Sequence, residues 1–118
     1  MDDLKTFGFI FETLAVRDLR AYADAHLGNV RHYHDASDLE CDAVVSLRDG
    51  RYGLVEVKLG GAPLIERGAE TLTKLASRID TTKMAKPSFK MVVTAVGNCA
   101  YTRPDDGVVV CPISCLKN

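Results

Sequence analysis

No run of about 18 apolar residues occurs in this chain, so no part of it is expected to span a membrane. Its four cysteines, Cys41, Cys99, Cys111 and Cys115, form no paired CxxC arrangement. That pattern speaks against a zinc module and for free thiols in a reducing compartment. No phosphate-cradling P-loop is found, so nucleotide hydrolysis by this chain alone is not expected. Net charge is close to balance at −1, which excludes a generic polyanion binder. The start, Met1-Asp2-Asp3-Leu4-Lys5, is acidic where a secretory leader would be basic. Export is therefore not expected, and a cytoplasmic location is. Internal repeats and low-complexity tracts are also missing.

What is there is ordinary globular material. The 118 residues are 47% hydrophobic and 26% charged, enough for one domain over residues 1–118 with a core of its own. The charge is uneven along the chain. Residues 1–60 hold 7 basic and 11 acidic residues; residues 61–118 hold 8 and 5. The basic excess gathers at Lys74, Arg78, Lys83, Lys86 and Lys90, interrupted by Asp80. Such a stretch suits a phosphate backbone, and equally a plain solvated helix face with the loop after it.

Periodicity predicts a helix from Phe7 to about Ala25, with Phe7, Ile10, Phe11, Leu14, Leu19, Tyr22 and Ala23 facing the core and Gly28 stopping it. Asn29 to His34 reads as a short strand, and Asp35-Ala36-Ser37-Asp38 as a polar turn. Two strand-like runs follow, residues 39–47 and 52–59. Gly60-Gly61-Ala62-Pro63 breaks the sheet and opens a second helix. Its apolar stripe is Leu64, Ile65, Ala69, Leu72, Leu75, Ala76 and Ile79. Phe89 to Val96 reads as a strand covered on both faces. After the turn Asp105-Asp106-Gly107, Val108 to Pro112 is a last strand, placed at an edge because of its proline. The crossover through the second helix allows parallel pairing. The expected fold class is α/β, with a mixed central sheet flanked by helices.

The most informative feature is the charge set into the two central runs: Glu40 and Asp42 on one, Glu56 and Lys58 on the other. An unpaired buried charge costs several kcal/mol, so these need a reason. Gly50 suits the third, left-handed position of a three-residue loop Arg48-Asp49-Gly50. That loop sets Leu47 opposite Arg51, Asp42 opposite Glu56 and Glu40 opposite Lys58. Alternation then gives one apolar face of odd-numbered residues. The even face carries Glu40, Asp42, Glu56 and Lys58, with Val44 and Leu54 beside them. A two-residue loop would set apolar against charged faces. Two carboxylates and an amine at one point suit a divalent cation that activates water for phosphodiester cleavage. The plainer alternative is a solvated hairpin face with a Glu40–Lys58 ion pair.

Other constellations are weaker. His32 and His34 share a strand face, but no third ligand follows at matching spacing. Tyr101 near Arg103 suits either base stacking or a simple sheet-edge cap.

The element order, with Asp on the second strand and Glu-x-Lys on the third, resembles the PD-(D/E)XK superfamily of restriction-endonuclease-like folds. Gly8-Phe9-Ile10-Phe11-Glu12, His32-Tyr33-His34-Asp35, Glu40-Cys41-Asp42-Ala43-Val44, Glu56-Val57-Lys58-Leu59-Gly60 and Asp106 to Ile113 are similar to a narrower group. That group is the C-terminal nuclease-like domain of unknown function found on bacterial and archaeal AAA-type ATPases. The resemblance covers nearly the whole chain and implies an αβββαβ core. It implies Asp42, Glu56 and the Val57 carbonyl as ligands to Mg²⁺ (or Mn²⁺), Glu12 as an acid that tunes or shares the metal, and Lys58 as the catalytic lysine. It also implies DNA and an N-terminal ATPase region as partners, with this chain a C-terminal fragment of a larger protein that is free to oligomerise. The Gln-x-x-x-Tyr pair of many superfamily exonucleases is missing from Glu70-Thr71-Leu72-Thr73-Lys74. The implied activity is a metal-dependent nuclease. The alternative is a catalytically inactive nucleic-acid-binding, partner-docking or dimerisation module of that ATPase.

Overall fold

Residues 3–25, 28–34, 39–79 and 81–116 are described in the computed structural model. The polar turn expected at residues 35–38 and the Asp80 break in the basic stretch lie outside them. Helix α1 runs Asp3–Ala25, followed by strands β1 (Asn29–His34), β2 (Glu40–Ser46) and β3 (Tyr52–Lys58). Helix α2 spans Ala62–Ser77, and β4 (Phe89–Thr94), β5 (Tyr101–Thr102) and β6 (Val109–Pro112) complete the chain, with a single 3₁₀ turn at Ile113–Cys115. The six strands form one mixed sheet in the order β1-β2-β3-β4-β6-β5. Pairing is antiparallel through β1, β2 and β3, parallel from β3 to β4 and from β4 to β6, and antiparallel between β6 and β5. The α/β class and mixed sheet are as expected. Among the described residues no helix is long and apolar enough to cross a membrane.

Each helix covers one face of the sheet. Beneath α1 lie Ala43, Val45, Val55, Val57 and Val93; beneath α2 lie Cys41, Tyr52, Leu54, Val92 and Val108. The α1 contact is narrower than its periodicity suggested. Phe11, Ala15, Leu19 and Ala23 are buried at a strict spacing of four, whereas Phe7 is 58%, Ile10 51% and Leu14 42% exposed. Two alanines in the stripe let the helix axis approach the sheet, and the larger apolar residues on its flank are left outside. Gly28 bonds from its N–H to the Ala23 carbonyl, but not through a left-handed conformation. A β-carbon there would collide with the Ser46 carbonyl, so the glycine serves close approach to β2.

The predicted hairpin register is observed: Ala43 faces Val55, Val44 faces Leu54, Val45 faces Gly53 and Ser46 faces Tyr52. Leu47 donates to the Arg51 carbonyl at 2.8 Å, and Gly50 takes φ +91° at the third loop position. Two other expectations are corrected. The β6 strand is not an edge: β5 covers Val109 and Val110. That two-residue strand stops short of Pro112, so the missing N–H leaves no gap in the ladder. Nor is the even face of the hairpin solvated, because Tyr52 and Leu54 are buried under α2.

Candidate active site

The site begins with an irregularity in β2. Its pairing with β1 runs Val30–Val45 and Arg31–Val44, then resumes at Tyr33–Cys41 and His34–Glu40. Asp42 and Ala43 together oppose His32 alone, which is a β-bulge on β2. The extra residue reverses the alternation. Cys41 joins the cluster under α2 while Ala43 joins the one under α1. Asp42 is thereby aimed to the α1 side, where Glu12 shares a hydrogen bond with it. The buried Cys41 thiol lies 3.1 Å from the Ala43 carbonyl and 3.2 Å from that of Val55. Burial pushes its pKa up to about 12, so it stays an inert thiol.

At the same point the β2–β3 ladder gives way to side chains. The last paired residues are Ala43 and Val55. Beyond them the Asp42 N–H donates to Glu56 Oε1 at 3.1 Å, and the Val57 N–H donates to Asp42 Oδ2 at 2.7 Å. Each carboxylate thus takes up a backbone amide of the other strand. Glu56 Oε2 faces Lys58 Nζ at 3.8 Å. Among the described residues no buried side-chain polar atom is left without a partner, as buried polar groups require.

The electrostatics are those of crowded acids. Glu56 is 6% exposed, and its pKa is raised to about 7. Burial is the main cause and the Asp42 charge the second; the Asp42 N–H and Lys58 act the other way. Glu12 is also held above the ordinary carboxylate range, first by partial burial and then by the charge of Asp42 and the hydrogen bond with it. The Asp42 charge thus disfavours the ionised forms of both Glu12 and Glu56.

Glu12 and Asp42 line a cleft of about 450 Å³ between α1 and β1, together with Phe9, Arg17, Arg20 and His32. A larger hollow of about 690 Å³ lies near the β2–β3 turn, beside Arg48, Asp49 and Arg51. No second acid accompanies Asp49 there, whereas Glu12 and Asp42 meet at the smaller cleft. Lys58 approaches from the α2 side, where Gly68 makes room for it. A β-carbon at position 68 would sit 3.1 Å from Val92 Cγ2 and 3.4 Å from Lys58 Cγ.

Of the residues expected from sequence, Asp42, Glu56, Lys58 and Glu12 do meet, and the Val57 amide is in the same network. They do not share one sheet face as expected. The bulge turns Asp42 toward α1 while Lys58 packs against α2, so the site lies at the open end of the sheet between both helices. Glu40 does not pair with Lys58; it faces His34 in β1 and reaches His32 Nε2 at 3.2 Å. Two other expectations also change. Lys90 is tied to the Asp106 carbonyl at 3.0 Å, and Arg103 is held by Glu66 at 2.7 Å and Asp106 at 3.4 Å. Neither is free for a phosphate or a base. Sequence reasoning missed Arg17, Arg20 and Gly68. Arg20 falls eight residues after Glu12 and Arg17 eight after Phe9, both at helical spacing, a signal that was readable.

Among the described residues no group of three or more His, Cys, Asp or Glu side chains is arranged to hold a metal ion. The donor chemistry still fits a small hard cation. Mg²⁺ is habitually held by one or two carboxylates, with waters completing its shell. Asp42 and Glu56 are two adjoining carboxyl groups of that kind, each accepting a backbone N–H from the other's strand, with the Val57 peptide at hand.

The family model described as "Domain of unknown function (DUF4143)" matches residues 7–116. The chain belongs to that family. Among curated proteins and solved structures nothing matches this DUF4143 chain. The match takes in all of Glu12, Asp42, Glu56 and Lys58, and so the whole of the site.

Proposed function

We propose that this DUF4143 domain is a metal-dependent phosphodiesterase of the PD-(D/E)XK, restriction-endonuclease-like kind, acting on DNA beside an AAA-type ATPase region in the cytoplasm. The observation that carries the reading is the reciprocal clasp of Asp42 and Glu56 where β2 and β3 part. A fold has little structural use for two adjoining carboxylates, one of them buried, when apolar residues would fill the place at lower cost. Asp42 and Glu56 would hold Mg²⁺ (or Mn²⁺) with the Val57 carbonyl, and Glu12 would tune the set. When bound, the cation supplies Lewis acidity toward a phosphoryl oxygen and acidifies a water. Lys58, with Glu56 beside it, offsets negative charge that builds on the phosphate during displacement. Glu56, ionised only near neutrality and above, competes for a cation best from about pH 7 upward.

The test is cleavage of labelled DNA with Mg²⁺ or Mn²⁺, run beside thermal melting of the same samples. Wild type cleaves and melts higher with metal; Asp42→Asn does neither and stays folded. A wild-type protein that shows neither cleavage nor a metal shift at millimolar concentration ends the reading.

One observation favours the other reading, a catalytically inactive docking or dimerisation module of the same ATPase. Phe7, Ile10 and Leu14 form an exposed apolar flank on α1, and such surfaces mark contacts with other chains. Under that reading Asp42→Asn changes no partner binding, while Ile10→Asp abolishes it.

A further inference from the structure

The face of α1 that looks into the cleft carries more than Glu12. Phe9, Arg17 and Arg20 line the same hollow, on neighbouring rows of the helix surface. Phe9 is 72% exposed, although a bare phenyl ring gains nothing from water. Arg17 and Arg20 have no ion-pair or hydrogen-bond partner among the described residues, whereas Arg51 and Arg103 are clasped by acids at 2.7 Å. The cleft therefore holds two unanswered cations beside two carboxylates, with an aromatic plane at the far end of the strip. From Phe9 to Arg20 the helix advances roughly 16 Å at about 1.5 Å per residue. That is several times the roughly 3.4 Å that one nucleotide adds along a duplex strand, and is too long for a mononucleotide. Stacking on Phe9 requires an open base face, which a duplex hides.

We infer that this strip of α1 is a track for single-stranded nucleic acid, Phe9 stacking on a base and Arg17 and Arg20 taking the phosphates that lead to Asp42. The assignment rests on the nuclease reading for its direction, and it narrows the substrate to a single strand or a frayed end. The cations anchor neighbouring phosphates while the acids receive the one to be cut. His32, tied to Glu40, closes the opposite wall.

Anisotropy of labelled single strands and of the matching duplex, in EDTA so that nothing is cut, tests this. Wild type binds the single strand more tightly than the duplex. Phe9→Ala weakens single-strand binding by at least about 5-fold and leaves the duplex alone. Replacing Arg17 and Arg20 with Ala lowers the slope of log affinity against log salt by about 1.4, and the double Lys variant restores most of it. Parallel DNA and RNA strands identify which of the two is favoured. The side chains are exposed, and thermal melting verifies that every variant is folded. Unchanged binding by both alanine variants, or a preference for duplex, overturns the track. The outcomes also separate it from the nuclease reading. Cleavage by wild type with binding indifferent to Phe9 and the arginines sinks the track alone. Binding that depends on them, with no cleavage under Mg²⁺ or Mn²⁺, keeps the track and sinks the nuclease.

Discussion

The two ends of the β2–β3 hairpin are built on opposite terms. At the closed end, from Ala43–Val55 to the Arg48-Asp49-Gly50 turn, pairing is regular and Val45 and Val55 are sealed in the core. At the open end the ladder is replaced by carboxylates, one residue is bulged, and a buried glutamate is held near its neutral form. Order at the first end is what permits disorder of pairing at the second. A strand pair can surrender its last amides to side chains only if the turn and the core already hold the register. Apolar packing and clustered acids are thus divided along one ribbon, about five residues apart at 3.3 Å per residue.

That division can be broken experimentally, and the largest effect should come at the open end. Asp42→Asn is expected to lower metal-dependent cleavage by at least about 1,000-fold, the several kcal/mol that a lost Lewis acid represents, while the melting temperature of the metal-free protein does not fall. A variant that cleaves normally would show that the open end carries no chemistry. Glu56→Gln comes next, in stability. Glu56 has a folded pKa of about 7 against an ordinary 4.5, so the native state binds its proton more tightly than the unfolded chain does. Stability of the metal-free protein should therefore fall as pH rises from about 4.5 through about 7. The Gln variant should show much less of that fall, Glu12 alone retaining a share, and be more stable above pH 7 by an amount on the order of 3 kcal/mol. Urea unfolding at pH 5 and pH 8 checks both points; parallel pH dependence in the two proteins would contradict them.

Smaller effects belong to the closed end. Val45→Ala should cost about 2 kcal/mol through lost burial and the cavity left behind, with cleavage per folded molecule unchanged. Gly50→Ala, forced into φ +91°, should cost about 1–2 kcal/mol and again spare the chemistry. Loss of activity in either, measured under conditions where the variant is fully folded, would mean that the two ends are not independent.

How much of this was readable follows from the same contrast. The closed end was legible because a glycine at the third loop position and matched apolar rows leave one register. Asp42 and Glu56 were legible as neighbours for that reason. The bulge was not, since one extra residue in β2 shows only against β1, and nothing in Cys41-Asp42-Ala43 announces it. With it went the face assignment and the Glu40–Lys58 pair. The burial of Ala15 in α1 was hidden because a small residue weighs little in an apolar count, whereas Ala23 was expected in the core. The β5 strand escaped notice because two residues carry no period. The PD-(D/E)XK likeness and its ATPase setting stand as proposals, resting on motif order and on the clasp.

Gly68 gives this arrangement a remote control. Helix α2 passes close to Lys58 at a position without a side chain: a β-carbon at 68 would stand 3.4 Å from Lys58 Cγ and press on Val92 Cγ2 at 3.1 Å. A valine introduced there would act as a wedge, shouldering the amine out of line while every acid stayed in place. One methyl-bearing residue in a different element, on the reverse side of the sheet, is enough to detune the cluster without editing it.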